Sequence, residues 1–401
     1  MNENDLWAPF KLLGDSIASE WRAHDYAEDA FSDISARLLT EGAFLSEADA
    51  LELASRAAVE PEFPVQVDLD ALFGQPPLTL YSTSRFHISL LYWLDATTSI
   101  HEHAFQGAFR VVSGSSLHST WRFDERTRVC GRLRVGSATR QGTEVLTVGD
   151  VRPILPGAPG AHALFHLDEP SATLVVRTRS DPSAQPQCDY YPPSLSVAPF
   201  ADDASLTRRL QLLHLLRRTD EDRLREAVRT ALCFDDLGSA VTVLLAACRM
   251  ELGEAFAEEA AGILADRDER LGKSLREVTV RVVRDHRLMA LRQRVTAAEP
   301  RLVLALALNG LDRRSALGAF AERYRTDPVD RLAGAVGELL THTDGSEPCE
   351  PLLEILRGLL SGLPPESLVR DLGRHSEYQP RLIEKIVSTL LQSPSLGQLF
   401  Q

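Results

Sequence analysis

The chain has 401 residues, of which 44% are hydrophobic and 25% charged, and its formal net charge is −14. This composition is typical of a globular protein, and the length favours two or three domains. The negative charge repels nucleic-acid phosphates, and no block of Lys and Arg with interleaved aromatic residues offsets it. A nucleic-acid partner is therefore not expected.

The first residues, MNENDLWAPF, are acidic and lack the basic start and long apolar core of a signal peptide. No apolar run approaches the ~20 residues that a membrane span needs. The 5 cysteines are scattered and never form a CxxC pair, which favours reduced thiols over disulfides or a zinc site. We therefore expect a cytoplasmic protein without a membrane partner.

The predicted elements change in character along the chain. Residues 5 to 58 predict helices, because apolar residues recur at three- and four-residue spacing. From residue 65 to residue 191, short runs rich in Val, Thr, Phe, Tyr and Trp predict a sandwich or barrel of many strands. The strands are expected near 65–68, 77–82, 85–95, 98–111, 116–123, 128–136, 143–147, 150–154, 162–167 and 171–179.

The remaining sequence predicts a connector and then helices only. Residues 181–203 are rich in proline and predict an extended connector. Beyond residue 204, amphipathic segments in tandem predict a HEAT-like α-solenoid or a helical bundle. The expected fold is α+β, with an N-terminal helical segment (1–62) that packs on a barrel (63–200), followed by an α-helical domain (201–401).

The most informative motif is a pair of histidines, His101 and His103, on a predicted strand. Alternate residues of a strand share a face, so both imidazoles can reach one ion. His162 follows the turn PGAPGA and is the best third ligand. Neutral imidazole suits iron, copper, nickel and zinc, and three histidines leave coordination positions open for a substrate or dioxygen. The alternative is a barrel in which these histidines are ordinary hydrogen-bonded polar residues.

Two segments carry a resemblance to a known family. HEHAFQGAFRVVSG, followed downstream by PGAPGAH, resembles the two motifs of the cupin superfamily, a small β-barrel or jelly roll that holds a metal. RFHISLLYWLDATTSIHEHAFQGAFRVVSGSSLHSTWRF is similar to the comparable segment of the cysteine and mercaptopropionate dioxygenases. The resemblance covers residues 65–190. It implies Fe(II), or another divalent transition metal, held by His101, His103 and His162.

The departures from the family matter as much as the matches. Cupins generally place a Glu shortly after the second His, where this chain has Gly107 and Ala108. Loss of that carboxylate is a trait of the thiol dioxygenases and supports a site of three histidines. Animal thiol dioxygenases carry a Cys at the place of Ala108, cross-linked to a Tyr, and a Ser-His-Tyr set near the substrate. The strand SATLVVRTRS has Thr173, Val175 and Arg177 instead, so iron chemistry is better supported than cysteine as the substrate.

Other polar residues are candidates for the lining of the barrel. Arg85 and His87 share a face of the predicted strand 85–95, and Arg85 could hold a substrate carboxylate through a bidentate pair. Tyr81 lies just before them. For these residues and for Arg177, a structural role such as a salt bridge at the rim is an equal alternative.

Four further residues lie near the histidine motifs in the sequence. His118 and His166 could orient a metal ligand or a bound substrate, and a purely structural role is an equal alternative. Trp93 and Phe105 are expected in the barrel core, because large aromatic residues at alternating strand positions normally pack inside.

These observations lead to one hypothesis and two alternatives. The hypothesis is a non-haem Fe(II)-dependent oxygenase, resembling the thiol dioxygenases, that acts with O₂ on a small thiol or amino-acid-like substrate. The first alternative is a metal-binding sensor or interaction module whose helical domain docks a protein partner, because thiol dioxygenases do not need the additional helices. The second is a hydroxylase that acts on a protein or peptide docked on those helices.

Overall fold

The computed structural model describes residues 6–42, 47–60, 62–67, 74–94, 97–179, 187–198, 203–344, 349–375 and 379–401. The protein is α+β, and its described residues form two antiparallel sheets and fourteen α-helices. Contacts divide the chain into two compact units, Met1–Thr279 and Val280–Gln401. The division into 1–62, 63–200 and 201–401 follows the type of element and stays a prediction.

Three helices precede the strands, as the sequence predicts. On the first of them, the buried residues Phe10, Leu13, Ile17 and Trp21 recur at the spacing of an amphipathic helix. They form one core with the sheet residues below them. The helices are α1 (Ala8–Ala23), α2 (Glu28–Glu41) and α3 (Glu47–Ala57).

Eleven strands are present in the described residues: β1 (Pro77–Ser82), β2 (Phe86–Trp93), β3 (Ile100–His101), β4 (Gly107–Ser113), β5 (Ser116–Cys130), β6 (Leu133–Leu146), β7 (Val151–Ile154), β8 (His162–His166), β9 (Ser171–Thr178), β10 (Asp189–Tyr191) and β11 (Leu195–Val197). The first sheet has the order β1-β2-β9-β4-β7. The second has the order β10-β11-β6-β5-β8-β3, and β3 pairs with β10 to close the ring.

The first sheet separates two environments. On β2, the even-numbered residues from Phe86 to Tyr92 belong to the core under the N-terminal helices, and the odd-numbered residues from His87 to Trp93 line a pocket on the other face. β9 pairs with β2 and alternates in the same way, which brings Arg177 to the pocket. Side chains alternate along a strand, so a shift of one residue in the position of β2 would move its core residues to the pocket and its pocket residues to the core.

Several predicted strands differ from the observed ones. Residues 65–67 form no strand, and the side chain of Gln66 hydrogen-bonds the backbone N–H and carbonyl of Thr79 instead. Residue 68 lies outside the described residues. The strand predicted at 98–111 is divided into β3 and β4, and the strands predicted at 128–136 and 143–147 belong to one long hairpin, β5–β6. The predicted connector contains β10 and β11, which close the second sheet.

Only helices follow residue 203 in the described part of the chain. Asp203, Asp220, Asp236 and Asp312 each cap a helix by accepting a hydrogen bond from the backbone N–H three residues on. The helices are α4 (Ala204–Thr219), α5 (Glu221–Phe234), α6 (Leu237–Cys248), α7 (Glu254–Arg267), α8 (Gly272–Arg292), α9 (Ala298–Leu308), α10 (Arg313–Tyr324), α11 (Pro328–Asp344), α12 (Glu350–Leu360), α13 (Pro365–His375) and α14 (Pro380–Gln392).

The helical repeat stays a prediction. Among the described residues, none of the helices combines the length and the apolar character that crossing a membrane requires.

Candidate metal centre

Three buried histidines converge on the pocket. His101 ends β3, His103 follows it and bridges to Pro156, and His162 begins β8 as the direct cross-strand partner of His101. Each can offer one ring nitrogen to a group in which all three nitrogens lie within 4.8 Å of one another. Nε2 of His103 and Nε2 of His162 are 3.0 Å apart. The structure thus brings together the three residues that the sequence nominates as metal ligands.

The turn PGAPGA explains why His162 meets the pair. Gly157 has a φ of +69°, a conformation that favours glycine over other residues. Its backbone N–H donates to the carbonyl of His103 at 2.8 Å, and a short 3₁₀ helix, Ala158–Gly160, leads directly into β8. The turn therefore holds the start of β8 beside the segment that carries His103.

The protonation of the rings suits metal binding. Burial lowers the pKa of His101 and holds the pKa values of His103 and His162 well below the ordinary value for histidine, so all three are neutral imidazoles at pH 7. Nδ1 of His101 lies 2.8 Å from the carbonyl oxygen of Ser99. This nitrogen must carry the proton, because a carbonyl only accepts, and Nε2 keeps its lone pair.

The spacing of the histidine nitrogens fits a cation. Two nitrogen ligands at bond lengths of ~2.1 Å and at right angles would lie ~3.0 Å apart, and Nε2 of His103 and Nε2 of His162 are separated by 3.0 Å. Nδ1 of His103 is buried and has no hydrogen-bond partner among the described residues, and the ring packs against Phe105 with the centroids 4.5 Å apart. A divalent transition metal bound by the three histidines would accept the lone pairs of these two facing Nε2 atoms.

The backbone excludes a carboxylate ligand at the two positions that hold Gly107 and Ala108. A Cβ at Gly107 would lie 1.9 Å from the carbonyl oxygen of Val176, a backbone atom of the neighbouring strand β9. Ala108 is fully buried in the core under the N-terminal helices. Neither position where cupins generally carry a Glu can therefore supply a fourth side-chain ligand.

We expect Gly107→Ala to lower the free energy of unfolding by ~1–3 kcal/mol, because the backbone contact can be relieved only by separating β4 from β9. Urea denaturation measures this change. Gly131→Ala is the matched control, since a Cβ at Gly131 has no atom within 4 Å. Equal stability of the two variants would contradict the close approach of the strands.

The pocket beside the histidines is small and mostly apolar. Its volume is about 100 Å³, and a cavity of ~150 Å³ takes up a molecule the size of benzene. Arg177 is the only Lys or Arg among the described residues that line the pocket. Its Nε donates to Nε2 of His87 at 3.0 Å, and its guanidinium lies 4.4 Å from the ring centroid of Phe105. The apolar lining includes Leu91, Phe105, Phe109, Ile154, Leu164 and Val175.

The predicted site residues Tyr81 and Arg85 lie on the other side of the sheet. β2 begins only at Phe86, and Arg85, in the bend before it, places its guanidinium 4.0 Å from the ring centroid of Tyr26. Tyr81 follows a register shift in β1, and its hydroxyl donates to Asp15 of α1 at 2.9 Å. The structure brings neither residue to the pocket, and Arg177 supplies the positive charge that Arg85 was expected to supply.

His118 contacts a metal-ligand candidate directly, although it does not line the pocket. Its Nε2 lies 3.1 Å from Nδ1 of His162, and its Nδ1 lies 2.9 Å from Oε1 of Glu144. Glu144 in turn accepts from Nε of Arg152 at 2.9 Å. Neither Glu144 nor Arg152 was predicted as a site residue from the sequence. The only available signal was the pairing of β5 with β6, which makes His118 and Glu144 cross-strand partners.

His166 lies behind the pocket wall. Its Nδ1 is 2.9 Å from Oγ of Ser116 and 3.0 Å from Oγ of Ser171. Its ring stacks on the indole of Trp93 with the centroids 4.5 Å apart. Trp93 itself lines the pocket, and its Nε1 donates to Thr173 at 3.0 Å. Trp93, on β2, and Phe105, in the bend before β4, both line the pocket, and Phe105 does not occupy the strand position that was expected for it.

Burial lowers the pKa of His166 from 6.5 to about 3. The unfolded chain then binds more protons than the folded chain between these two values, so the free energy of unfolding falls as the pH decreases below 6.5. At pH 5 the loss due to His166 is about 2 kcal/mol. His166→Asn keeps an acceptor for the serine hydroxyls. In this variant we expect the free energy of unfolding to decrease by about 2 kcal/mol less between pH 7 and pH 5 than in the wild type. Urea denaturation of chelator-treated protein at several pH values tests this expectation, and identical pH dependence in both proteins would refute it.

Two antiparallel sheets around a buried group of three histidines are compatible with the cupin fold that the motifs resemble. No protein-family model and no curated protein matches the chain. Among solved structures, one described as "Crystal structures of DMSP lyases RdDddP and RnDddQII" is 19% identical and covers 36% of this chain and 71% of that chain, with a TM-score of 0.22. A similarity of this size supports no conclusion about activity, so the interpretation depends on the geometry of the site.

Proposed function

We propose that the protein is a non-haem Fe(II)-dependent oxygenase that acts with O₂ on a small substrate carrying an anionic group. One observation carries the proposal: three neutral, buried imidazoles offer nitrogens within 4.8 Å of one another on the wall of an apolar pocket. Imidazole ligands suit iron among the divalent metals, and three of them leave coordination positions open. Fe(II), when bound, supplies electrons and a template on which O₂ and the substrate meet.

The residues of the chain have separate tasks in this proposal. His101, His103 and His162 hold the metal, and the hydrogen bond from His101 to the backbone of Ser99 fixes the orientation of its ring. The apolar side chains exclude water from the pocket, which strengthens the electrostatic interactions inside it. Arg177 binds the anionic group of the substrate, because a guanidinium matches a carboxylate in charge and in geometry.

The volume and the charge of the pocket restrict the substrate class. The volume of about 100 Å³ favours a small substrate over a large one, and Arg177 favours an anion over a cation. A short thiol carboxylate such as 3-mercaptopropionate meets both conditions. Cysteamine has a similar length and also carries a thiol, but its ammonium group would lie beside the guanidinium, so we expect it to be a poor substrate.

The test is metal analysis of anaerobically purified protein, followed by O₂-electrode measurements after reconstitution with Fe(II). We expect stoichiometric metal binding and O₂ uptake that depends on the thiol carboxylate. Protein without bound metal, and without uptake on any small thiol or carboxylate, would overturn the proposal. Bound metal combined with a thermal shift by the ligand but no O₂ uptake would instead favour the metal-binding sensor.

A further inference from the structure

A chain of hydrogen bonds links the metal centre to the protein surface. Nδ1 of His162 lies 3.1 Å from Nε2 of His118, and Nδ1 of His118 lies 2.9 Å from Oε1 of Glu144. Nε of Arg152 donates to the same carboxylate at 2.9 Å. The two histidines are buried, whereas the side chains of Glu144 and Arg152 are 37% and 32% exposed. The chain therefore begins in a solvated ion pair and ends at a ligand candidate.

The donors and acceptors along this chain permit only one arrangement when both histidines are neutral. Arg152 beside it lowers the pKa of Glu144 to about 2, so Glu144 is a carboxylate that only accepts. Nδ1 of His118 must then carry a proton, and its Nε2 must accept. His118 is buried, and as a neutral ring it carries one proton only. Nδ1 of His162 is therefore the donor, and the lone pair of His162 lies on Nε2.

The atom selected in this way is the one that faces the metal centre. Nε2 of His162 lies 3.0 Å from Nε2 of His103. With the opposite tautomer, His162 would direct an N–H at this position and could not bind a metal through it. The surface carboxylate thus decides, through two rings, which nitrogen of His162 is available.

We propose that Glu144 is a positioning residue that fixes the proton of His162 on Nδ1 through His118 and so presents Nε2 to the metal. This inference rests on the proposed metal-binding function of the three histidines and adds a residue that contacts neither metal nor substrate. Hydrogen-bond partners of metal-binding histidines typically change metal affinity by ~10- to 100-fold when they are removed. We expect a change in this range for Glu144.

The central variant is Glu144→Leu, which has a similar size and removes both acceptor oxygens. Nδ1 of His118 and Nε of Arg152 lie beside the same oxygen, Oε1, so a glutamine could keep the acceptor of His118, whereas a leucine cannot. Asp124→Asn is the matched control, because Asp124 is an exposed carboxylate on β5 that pairs with Arg122. Arg152→Gln removes the guanidinium and keeps the carboxylate.

Two measurements separate positioning from a general structural role. The first is the dissociation constant for Fe(II), with Co(II) as a spectroscopic substitute. The second is the tautomer of His162 in metal-free protein, read from the nitrogen chemical shifts of the ring. We expect Glu144→Leu to weaken metal binding by ~10- to 100-fold and to remove the preference for Nδ1–H. Asp124→Asn and Arg152→Gln should change the dissociation constant by less than about threefold, since both leave the acceptor of His118 in place.

The outcomes distinguish this inference from the proposed function. Wild-type protein that binds no metal contradicts the proposed function, whereas the tautomer of His162 still tests the effect of Glu144. Wild-type protein that binds metal, together with unchanged affinity and an unchanged tautomer in Glu144→Leu, overturns the inference alone. Equal losses of stability and affinity in Glu144→Leu and Arg152→Gln would show that the ion pair is merely structural.

Discussion

His162→Ala is expected to reduce bound metal from a stoichiometric amount to background and to abolish O₂ uptake. His162 supplies one of three candidate ligand nitrogens, and its Nε2 lies 3.0 Å from Nε2 of His103. The loss of a direct ligand should exceed the ~10- to 100-fold effect that follows removal of a residue hydrogen-bonded to a ligand. Metal analysis after gel filtration, together with the O₂ electrode, measures both effects.

The control for this experiment is His214→Ala, which removes an exposed histidine from α4. It should keep its metal and its activity. Because His162 is buried, the alanine variant must also be shown to be folded by circular dichroism, and His162→Gln provides a variant of more similar size. Retention of metal in a folded His162 variant would show that the three histidines do not form the site.

Arg177→Met is expected to lower kcat/KM for a thiol carboxylate by ~100-fold, mainly through a higher KM, while the metal content stays unchanged. Removing one partner of a buried, hydrogen-bonded charge pair typically costs ~2–5 kcal/mol, and Arg177 is only partly buried, so the lower part of that range applies. Methionine keeps an apolar stem against Phe105, which limits the loss of packing. Steady-state O₂ uptake over a range of substrate concentrations separates KM from kcat.

Three comparisons test whether the charge of Arg177 causes the change in kcat/KM. Arg177→Lys should recover only part of the loss, since an ammonium cannot form the bidentate pair. Arg179→Met is the matched control, because the guanidinium of Arg179 bonds Thr83 and Ser82 near the strand end. Cysteamine should be used no worse by Arg177→Met than by the wild type. An unchanged KM for the thiol carboxylate would exclude Arg177 as its binding residue.

The metal-ligand candidates could be predicted because each depends on a local pattern. Strand alternation predicts that His101 and His103 share a face, and the turn PGAPGA identifies the start of β8 at His162. The N-terminal helices were predictable for the same reason, because their apolar spacing is local. In each case, residues that are close in sequence contain the information that decides the structure.

The errors arose where one irregular residue or a distant strand decides the structure. The register shift in β1 and the bend before β2 carry Tyr81 and Arg85 away from the pocket. Glu144 depends on the register of a long hairpin, which contains further shifts. β10 and β11 are strands of three residues beside prolines, and pairing with β3 and β6 stabilises them rather than any propensity of their own.

The close approach of β4 and β9 at Gly107 limits how the ligands of this site can change by mutation. A Cβ at Gly107 would lie 1.9 Å from a backbone carbonyl oxygen of β9. The lack of a ligand at this position therefore follows from the distance between the two backbones and not from the choice of one side chain. A substitution that introduces a carboxylate at this position would first require β4 to move away from β9. A fourth ligand at position 107 therefore requires coordinated changes in both strands and cannot be gained by one substitution.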